Sequence, residues 1–462
     1  MSNKYDVIVI GAGSAGYPCA IRLGQLKRKV LVVEEKELGG LCLNWGCIPT
    51  KALLFAAELT DQIEKAKRIG LRVENQGFDL DALRNWKEGI SKRLRSGVSY
   101  LFKHSGVQYM PGRARVISDH KVEVVREAKT EIVEAEHIVL ATGTEVIPLP
   151  GFNFDGRYVT HTDHALALTD IPSALLVIGA GAAGLEMATV FSRLGSKVTV
   201  VEIMSQILPG MESELCEALR QILQKSGLDI LLNSSVSSYR IEGGKVEASI
   251  QRPGAEIAGT FDRILVTVGR RPVPTVIKDA QPDVDDKGYI AVNADCRTSI
   301  GNIFAIGDVT GPPLLAHKAT FQGVRCAEAI AGMPSADRPP AIPSCVFTLP
   351  SLSSVGMTES EAKAKGYRVK IGRFPFRLSG KALAMDEPEG MVKLIADDQD
   401  RIIGVHILGV ESTSLIGEGV LAVDRGLTAG DIASAVHPHP TLSEILMEAA
   451  ATILKKSINI VN

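Results

Sequence analysis

The chain has 462 residues, 45% hydrophobic and 23% charged, with 44 glycines and a formal net charge of −2. That length exceeds what one core serves and implies roughly three or four domains. The near-neutral balance excludes the broad positive field that nucleic acid or an anionic membrane surface would need. No apolar run reaches transmembrane length. The opening YDVIVIGAGSAG lacks a basic leader and reads as a strand rather than a signal peptide. A cytoplasmic location follows, or an organelle matrix if a transit peptide has been removed.

The first elements recur later in the chain. IVIGAGSAGYPCAIRLGQLKRKVLVVE (Ile8 to Glu34) and LVIGAGAAGLEMATVFSRLGSKVTVVE (Leu176 to Glu202) align without a gap. Each reads as an apolar strand, a G-x-G-x-x-G turn, an amphipathic helix, a second strand and a final acidic residue, which is the βαβ dinucleotide-binding fingerprint. Gly11 and Gly179 permit the tight turn. Gly13 and Gly181 admit a pyrophosphate to the backbone, and Gly16 and Gly184 allow close helix packing. Glu34 and Glu202 stand where a carboxylate accepts ribose hydroxyls and repels a 2′-phosphate, so two dinucleotides are expected, neither of them NADP. Pro18 removes a backbone donor inside the first helix and predicts a kink or a weakened early turn.

GGLCLNWGCIPTK follows, from Gly39 to Lys51. A close cysteine pair in a reducing compartment is more often catalytic or metal-binding than structural, and no second pair or nearby histidine supplies a zinc set. Pro49 suits the first turn of a helix that Cys47 enters from a loop. The positive helix end and Lys51, four residues on, would stabilise a Cys47 thiolate. Cys42 is expected in the preceding loop, near enough for a disulfide. The other cysteines, Cys19, Cys216, Cys296, Cys326 and Cys345, stand alone in the sequence and read as small buried hydrophobes.

Further on, HIVLATGTEVIPLPG from His137 and FDRILVTVGRRP from Phe261 each run from a strand into a glycine turn. GNIFAIGDVTG puts Asp308 past another buried strand, as a ligand group or a helix cap. DRPPAIPSCVFTLP from Asp337 reads as a linker to an α+β segment with two amphipathic helices and no nucleotide turn. In AVHPHPTLSEILMEAA, His437 and His439 are candidate bases for thiol exchange, with Glu444 five residues after His439 as an orienting carboxylate.

These motifs, GAGSAG with Glu34, LGGLCLNWGCIPTK, ATG at Ala141 to Gly143, GAGAAGLE with Glu202, AIGDV with LAHKA, and HPHPTLSE, resemble the flavoprotein pyridine nucleotide–disulfide oxidoreductases over essentially the whole chain. Within that family the chain looks most like members that oxidise protein-bound dihydrolipoyl groups and reduce NAD. The resemblance implies an α/β fold with two Rossmann-like domains for FAD and NAD and a C-terminal α+β dimerisation domain. The expected division is 1–145 FAD-binding, 146–270 NAD-binding, 271–338 central and 339–462 dimer interface.

By the same resemblance Cys42 exchanges with substrate and Cys47 faces the flavin. Lys51 lies near the flavin, paired with Glu186. Asp308 binds the ribityl chain, and Thr142, Gly143, Ala316 and Gly269 line the cofactor sites. His439 is the acid–base, oriented by Glu444, acting on the partner subunit's cysteines in a homodimer. Lipoyl-carrying subunits of 2-oxo acid dehydrogenase or glycine-cleavage complexes are the implied partners. Three features depart from the family pattern: a short loop from Glu34 to Gly39, Leu41 for a common threonine, and Trp45 for a small aliphatic. A glutathione-reductase-like enzyme would want arginine at Glu202. Mercuric-reductase-like and large thioredoxin-reductase-like chains carry a cysteine or selenocysteine pair near the C-terminus, whereas the last cysteine here is Cys345. Cys47 opposes a transhydrogenase, and Cys42, Cys47 and His439 together oppose a non-catalytic binding subunit.

Overall fold

The computed structural model describes residues 4–74, 77–127, 129–273, 281–333 and 339–461. The chain divides into two compact units, one of Met1–Ala52, Asp79–Pro148 and Gly269–Pro339, the other of Leu53–Phe78, Leu149–Val268 and Pro340–Asn462. The linker expected from Asp337 begins in residues 334–338, outside the described residues.

In the first unit the parallel strands Gln108–Pro111, Val30–Glu34, Lys4–Ile10 and Lys129–Leu140 lie side by side, with Ile303–Ala305 also pairing Lys129–Leu140. Val7 and Val9 pack into one core and Ile8 and Ile10 into another. With both faces covered, residues 7–10 and 30–33 read as unbroken apolar runs rather than alternating ones. Two antiparallel strands, Lys121–Arg126 and Arg113–Ser118, extend the sheet. Ile10, the last residue of its strand, pairs Val33, one residue short of the end of the next at Glu34, and the Gly11 N–H donates to the Val33 carbonyl at 2.8 Å, so the glycine turn emerges at the carboxyl edge.

Pro18 is the third residue of the Gly16–Gln25 helix, inside the first turn. One backbone bond is missing there: Tyr17 N reaches Gly13 O and Cys19 N reaches Ala15 O, while the Ser14 carbonyl accepts the Thr320 hydroxyl at 3.0 Å instead. A side chain from the Ala316–Ile330 helix thus satisfies the acceptor that proline leaves unserved.

In the second unit, Leu149–Val268 carries a parallel sheet in the order Asp229–Leu231, Lys197–Val201, Ala174–Ile178, Arg263–Val266, Val159–Thr160. The C-terminal segment forms an antiparallel sheet in the order Ser344–Val346, Ser351–Gly356, Ile402–Gly409, Met391–Ala396, Lys370–Pro375. The two expected helices are Ser412–Arg425 and Glu444–Ile453. Shorter ones at Glu359–Ala364, Gly380–Ala384 and Ala429–Ser434 went unseen, since five or six residues hold less than two periods of the helical pattern. Among the described residues no helix is long and apolar enough to cross a membrane.

Candidate active site

The repeat holds at atomic detail. In the first copy Glu34 accepts Ala12 N–H at 2.7 Å and Lys36 N–H at 2.8 Å; in the second Glu202 accepts Ala180 N–H at 2.7 Å and Met204 N–H at 2.9 Å. Each carboxylate ties its strand end to the glycine turn and keeps lone pairs for a ligand hydroxyl. Gly11 and Gly179 have φ of +99° and +105°, which L side chains rarely adopt. A Cβ on Gly16 or Gly184 would sit 1.9 or 2.0 Å from the carbonyl of Gly11 or Gly179, so the close packing is within the turn itself. Gly181 has nothing within 4 Å of an added Cβ, and Gly13 only an ordinary contact at 3.9 Å. The protein itself does not require glycine at these two places, whereas a ligand backed against the turn does.

The cysteine segment packs directly on the first turn: a Cβ on Gly40 would lie 2.7 Å from Gly13 Cα. Asn44 pins the segment by donating to the carbonyls of Leu38 and Gly40 and accepting from Arg95 at 2.6 Å, and the Lys36 ammonium lies 5.7 Å from the centre of the Trp45 ring. Cys42 is not in a loop. It lies on the short helix Gly40–Trp45, and after the break at Gly46 a second helix, Cys47–Arg68, begins at Cys47 itself. The break brings together two sulfurs that one continuous helix would separate.

Both thiols are free and in hydrogen-bond contact. Cys42 is lowered to about 7, first by the hydrogen bond from Cys47, with the Ser14 hydroxyl and Lys51 adding to it against burial. Cys47 is pushed up by that same bond, by burial and by the charge on Cys42. Within this pair the Cys47 thiol donates and charge on the Cys42 sulfur is favoured. Lys51 acts on both sulfurs, and the Cys47–Ser14 pair of donors tips the balance. Tyr17 is raised by burial and then by the Cys42 charge, so it too borders the pair. Ser14 and Tyr17 are among the fingerprint's unspecified positions, which is why the motif did not single them out.

The remaining expected residues of the first unit gather at the same sheet edge. Ala141 N donates to Ile10 O at 2.8 Å, and Thr142 and Gly143 follow, the latter at φ +70°. Gly269 accepts Ile147 N–H at 3.2 Å where Arg270–Pro272 pairs Thr144–Val146. Ala316 opens a helix with no side-chain cap. Asp308 lies inside the 3-10 turn Gly307–Thr310 rather than capping it, and accepts the Thr144 hydroxyl at 3.5 Å. Burial raises its carboxyl, with Lys318 and Arg270 opposing.

Cys19 and Cys326 do not stand alone. Both are fully buried and in contact, because the Gly16–Gln25 and Ala316–Ile330 helices approach closely at Gly323, where a Cβ would sit 2.4 Å from the Ala15 carbonyl. Burial pushes the Cys326 thiol well up. Cys216 and Cys296 are buried as expected, while Cys345 is half-buried.

In the second unit Glu186 is buried and accepts Phe347 N–H at 3.0 Å. His439 and Glu444 are joined at 2.9 Å, and Glu444 also accepts Thr441 N–H at 2.8 Å. Burial would raise the Glu444 carboxyl, but Thr441 and then His439 outweigh it and hold it low. His437 is engaged elsewhere: its side chain is buried, Nδ1 meeting Ala435 O at 2.9 Å and Nε2 meeting Glu418 at 3.1 Å. The two candidate histidines are thereby distinguished, one held inside the fold and one displayed.

A model of the pyridine nucleotide-disulphide oxidoreductases matches residues 5–323, and one of that family's dimerisation domain matches 342–450. The chain belongs to this family. The first match spans both fingerprints and the cysteine pair, and the second spans His439 and Glu444. The C-terminal segment is thus a dimerisation domain, which supports a homodimer. The chain is 43% identical to a dihydrolipoyl dehydrogenase of Thermus scotoductus, covering 100% of each, and 39% identical to one of Geobacillus stearothermophilus, covering 99% of this chain and 97% of the other. Among solved structures it is similar to a Cu(II) complex of the HOCl-induced flavoprotein disulfide reductase RclA from Escherichia coli, with a TM-score of 0.86 and 28% identity over 97% of this chain and 99% of that one. LpdA from Mycobacterium tuberculosis, at 23% identity, TM-score 0.90 and coverage of 97% and 99%, shares the fold.

Proposed function

We propose that the chain is a dihydrolipoyl dehydrogenase that oxidises protein-bound dihydrolipoyl groups through Cys42 and Cys47 and passes the electrons by way of FAD to NAD. The observation that carries this reading is a contacting thiol pair packed on one of two dinucleotide turns, each closed by a glutamate. The open space at Gly13 and Gly181 fits a pyrophosphate at each. Gly11, Gly13, Gly16, Glu34, Lys51, Thr142, Gly143, Asp308 and Ala316 would hold FAD; Gly179, Gly181, Gly184 and Glu202 would hold NAD; Gly269 would line a cofactor site. Residues 1–145, 146–270, 271–338 and 339–462 are then the FAD, NAD, central and interface domains. When bound, the two cofactors supply the two-electron transfer that reoxidises the thiols.

The chain's own residues carry the exchange. A substrate thiolate attacks Cys42 Sγ of the Cys42–Cys47 disulfide; the sulfur–sulfur bond breaks and Cys47 leaves as a thiolate. His439 of the other subunit, held by Glu444, takes the proton from the second substrate thiol. That thiolate attacks the sulfur joined to Cys42, releasing the cyclic lipoyl disulfide and Cys42 as a thiolate, which the Ser14 hydroxyl and Lys51 stabilise. Lys51 would lie near FAD when it is bound. Lipoyl-bearing subunits of 2-oxo acid dehydrogenase or glycine-cleavage complexes are the partners, and the location is the cytoplasm or an organelle matrix.

The test is NADH formation with dihydrolipoamide, compared with NADPH formation and with glutathione as the thiol. The reading expects turnover with dihydrolipoamide and NAD together. Preference for NADP or for glutathione would point to another disulfide reductase.

A further inference from the structure

Lys318 breaks two local rules. It is the third residue of the Ala316–Ile330 helix, where the positive helix end disfavours a cation, and it is only 7% exposed. Burial lowers its ammonium, and Asp308 is the first group to oppose that. Its Nζ donates to the Gly311 carbonyl and, at 3.4 Å, to the Thr310 hydroxyl oxygen. One helical turn on, Gln322 accepts Gly307 N–H at 2.9 Å and donates to the same hydroxyl oxygen at 3.2 Å, while that hydroxyl donates to the Gly307 carbonyl at 2.8 Å. Residues four apart on one helix face therefore grip both ends of the Gly307–Thr310 turn. Opposite them, Arg270 donates to the Thr144 hydroxyl at 2.9 Å and to the Thr144 carbonyl at 2.7 Å, and Thr144 reaches Asp308.

We propose that Lys318 is a positioning residue for the flavin: it clamps the Gly307–Thr310 turn and, with its charge, steadies Asp308 as the acceptor for the ribityl hydroxyls. This deepens the function proposed above and rests on it. A clamp alone needs donors, and a neutral amide has them. A full positive charge at a helix start is offset by its electrostatic attraction to the Asp308 carboxyl. The charged or titratable groups around Asp308 are Lys318, Arg270 and Tyr289, and those around Lys318 are Asp308 and Cys296.

The test is release of FAD from the holoenzyme as pH falls, read by fluorescence of the freed flavin with circular dichroism alongside. Lys318→Met should make Asp308 protonate more readily, moving the release midpoint up by about one pH unit, the tenfold scale of one such partner. At pH 7 its FAD affinity should fall roughly tenfold to a hundredfold, the scale of losing an orienting partner. Lys318→Arg should restore both. In an Asp308→Asn background, adding Lys318→Met should shift the midpoint no further. An unmoved midpoint in Lys318→Met, or an equal shift with and without the Asp308 carboxylate, overturns the proposal and leaves the proposed function standing. If Lys318→Met fails to fold, the double variant decides. Its folding, with both buried charges gone, supports the proposal, and its failure overturns it. A wild-type protein that takes up no FAD would end the functional reading and this one with it.

Discussion

Glu444 Oε1 lies 2.9 Å from His439 Nδ1, while the other carboxylate oxygen accepts the Thr441 N–H at 2.8 Å. A carboxylate so fixed takes Nδ1–H and leaves Nε2 as the basic nitrogen. The His439 side chain is 79% exposed within the chain, which suits a base meant for a thiol on another subunit. His439→Ala should lower kcat by roughly 10²–10⁴, the range of one acid–base group. A Cys42→Ser chain and a His439→Ala chain, each nearly inactive alone, should recover close to half of wild-type activity when coexpressed with different tags and purified through both. A hybrid as inactive as its parents would place His439 in its own chain's site or outside catalysis.

The reduced thiol pair should titrate unequally. With Cys42 lowered to about 7 and Cys47 raised, iodoacetamide should label Cys42 with a midpoint near that pH and Cys47 only at far higher pH. Cys47→Ala removes the chief cause and should move the Cys42 midpoint toward the ordinary thiol value of 9.0. Faster labelling of Cys47 than of Cys42 at pH 7 would refute the order.

Glu202 serves the turn and, by proposal, the ribose. Glu202→Gln keeps much of the shape but loses charge-assisted acceptance, each such bond being worth about 1.5–3 kcal/mol, so kcat/KM for NAD should fall roughly tenfold to a hundredfold. Glu202→Arg should reverse the NAD-to-NADP preference. If either variant keeps wild-type kcat/KM for NAD, the carboxylate does not read the ribose.

Lys393 anchors the second unit. Its side chain, 2% exposed, meets Glu212 at 2.8 Å and Glu214 and Glu359 at 2.7 Å each. Lys393→Met would strand the buried Glu212 and should cost about 3–5 kcal/mol in urea unfolding. Lys363 and then Lys393 hold the Glu359 carboxyl down to about 2. Its folded value lies below the ordinary 4.5, so this stabilisation is complete above 4.5 and is lost as pH falls toward 2. Glu359→Gln should flatten that part of the stability profile; an unchanged profile would exclude Glu359 as its source.

What the sequence revealed was local. The repeat exposed both turns and both glutamates because each is complete within about thirty residues. Cys42 was misplaced because six helical residues between glycines look like a loop, and the thiol–thiol hydrogen bond that lowers Cys42 depends on the helix break at Gly46, which spacing alone does not show. Lys318 and Lys393 were invisible for a related reason. Lys393 looks like an ordinary exposed lysine until elements distant in sequence bring Glu212, Glu214 and Glu359 to it, and Lys318 until its helix folds back on the Gly307–Thr310 turn.

The most direct measurement of the central claim is thiol labelling before and after anaerobic reduction by dihydrolipoamide, mapped by mass spectrometry. The account predicts that oxidised enzyme leaves Cys42 and Cys47 unlabelled, that substrate exposes both to alkylation with Cys42 labelled first, and that NAD returns them to the unlabelled state with formation of NADH. Labelling at Cys42 and Cys47 that neither dihydrolipoamide nor NAD alters would contradict it.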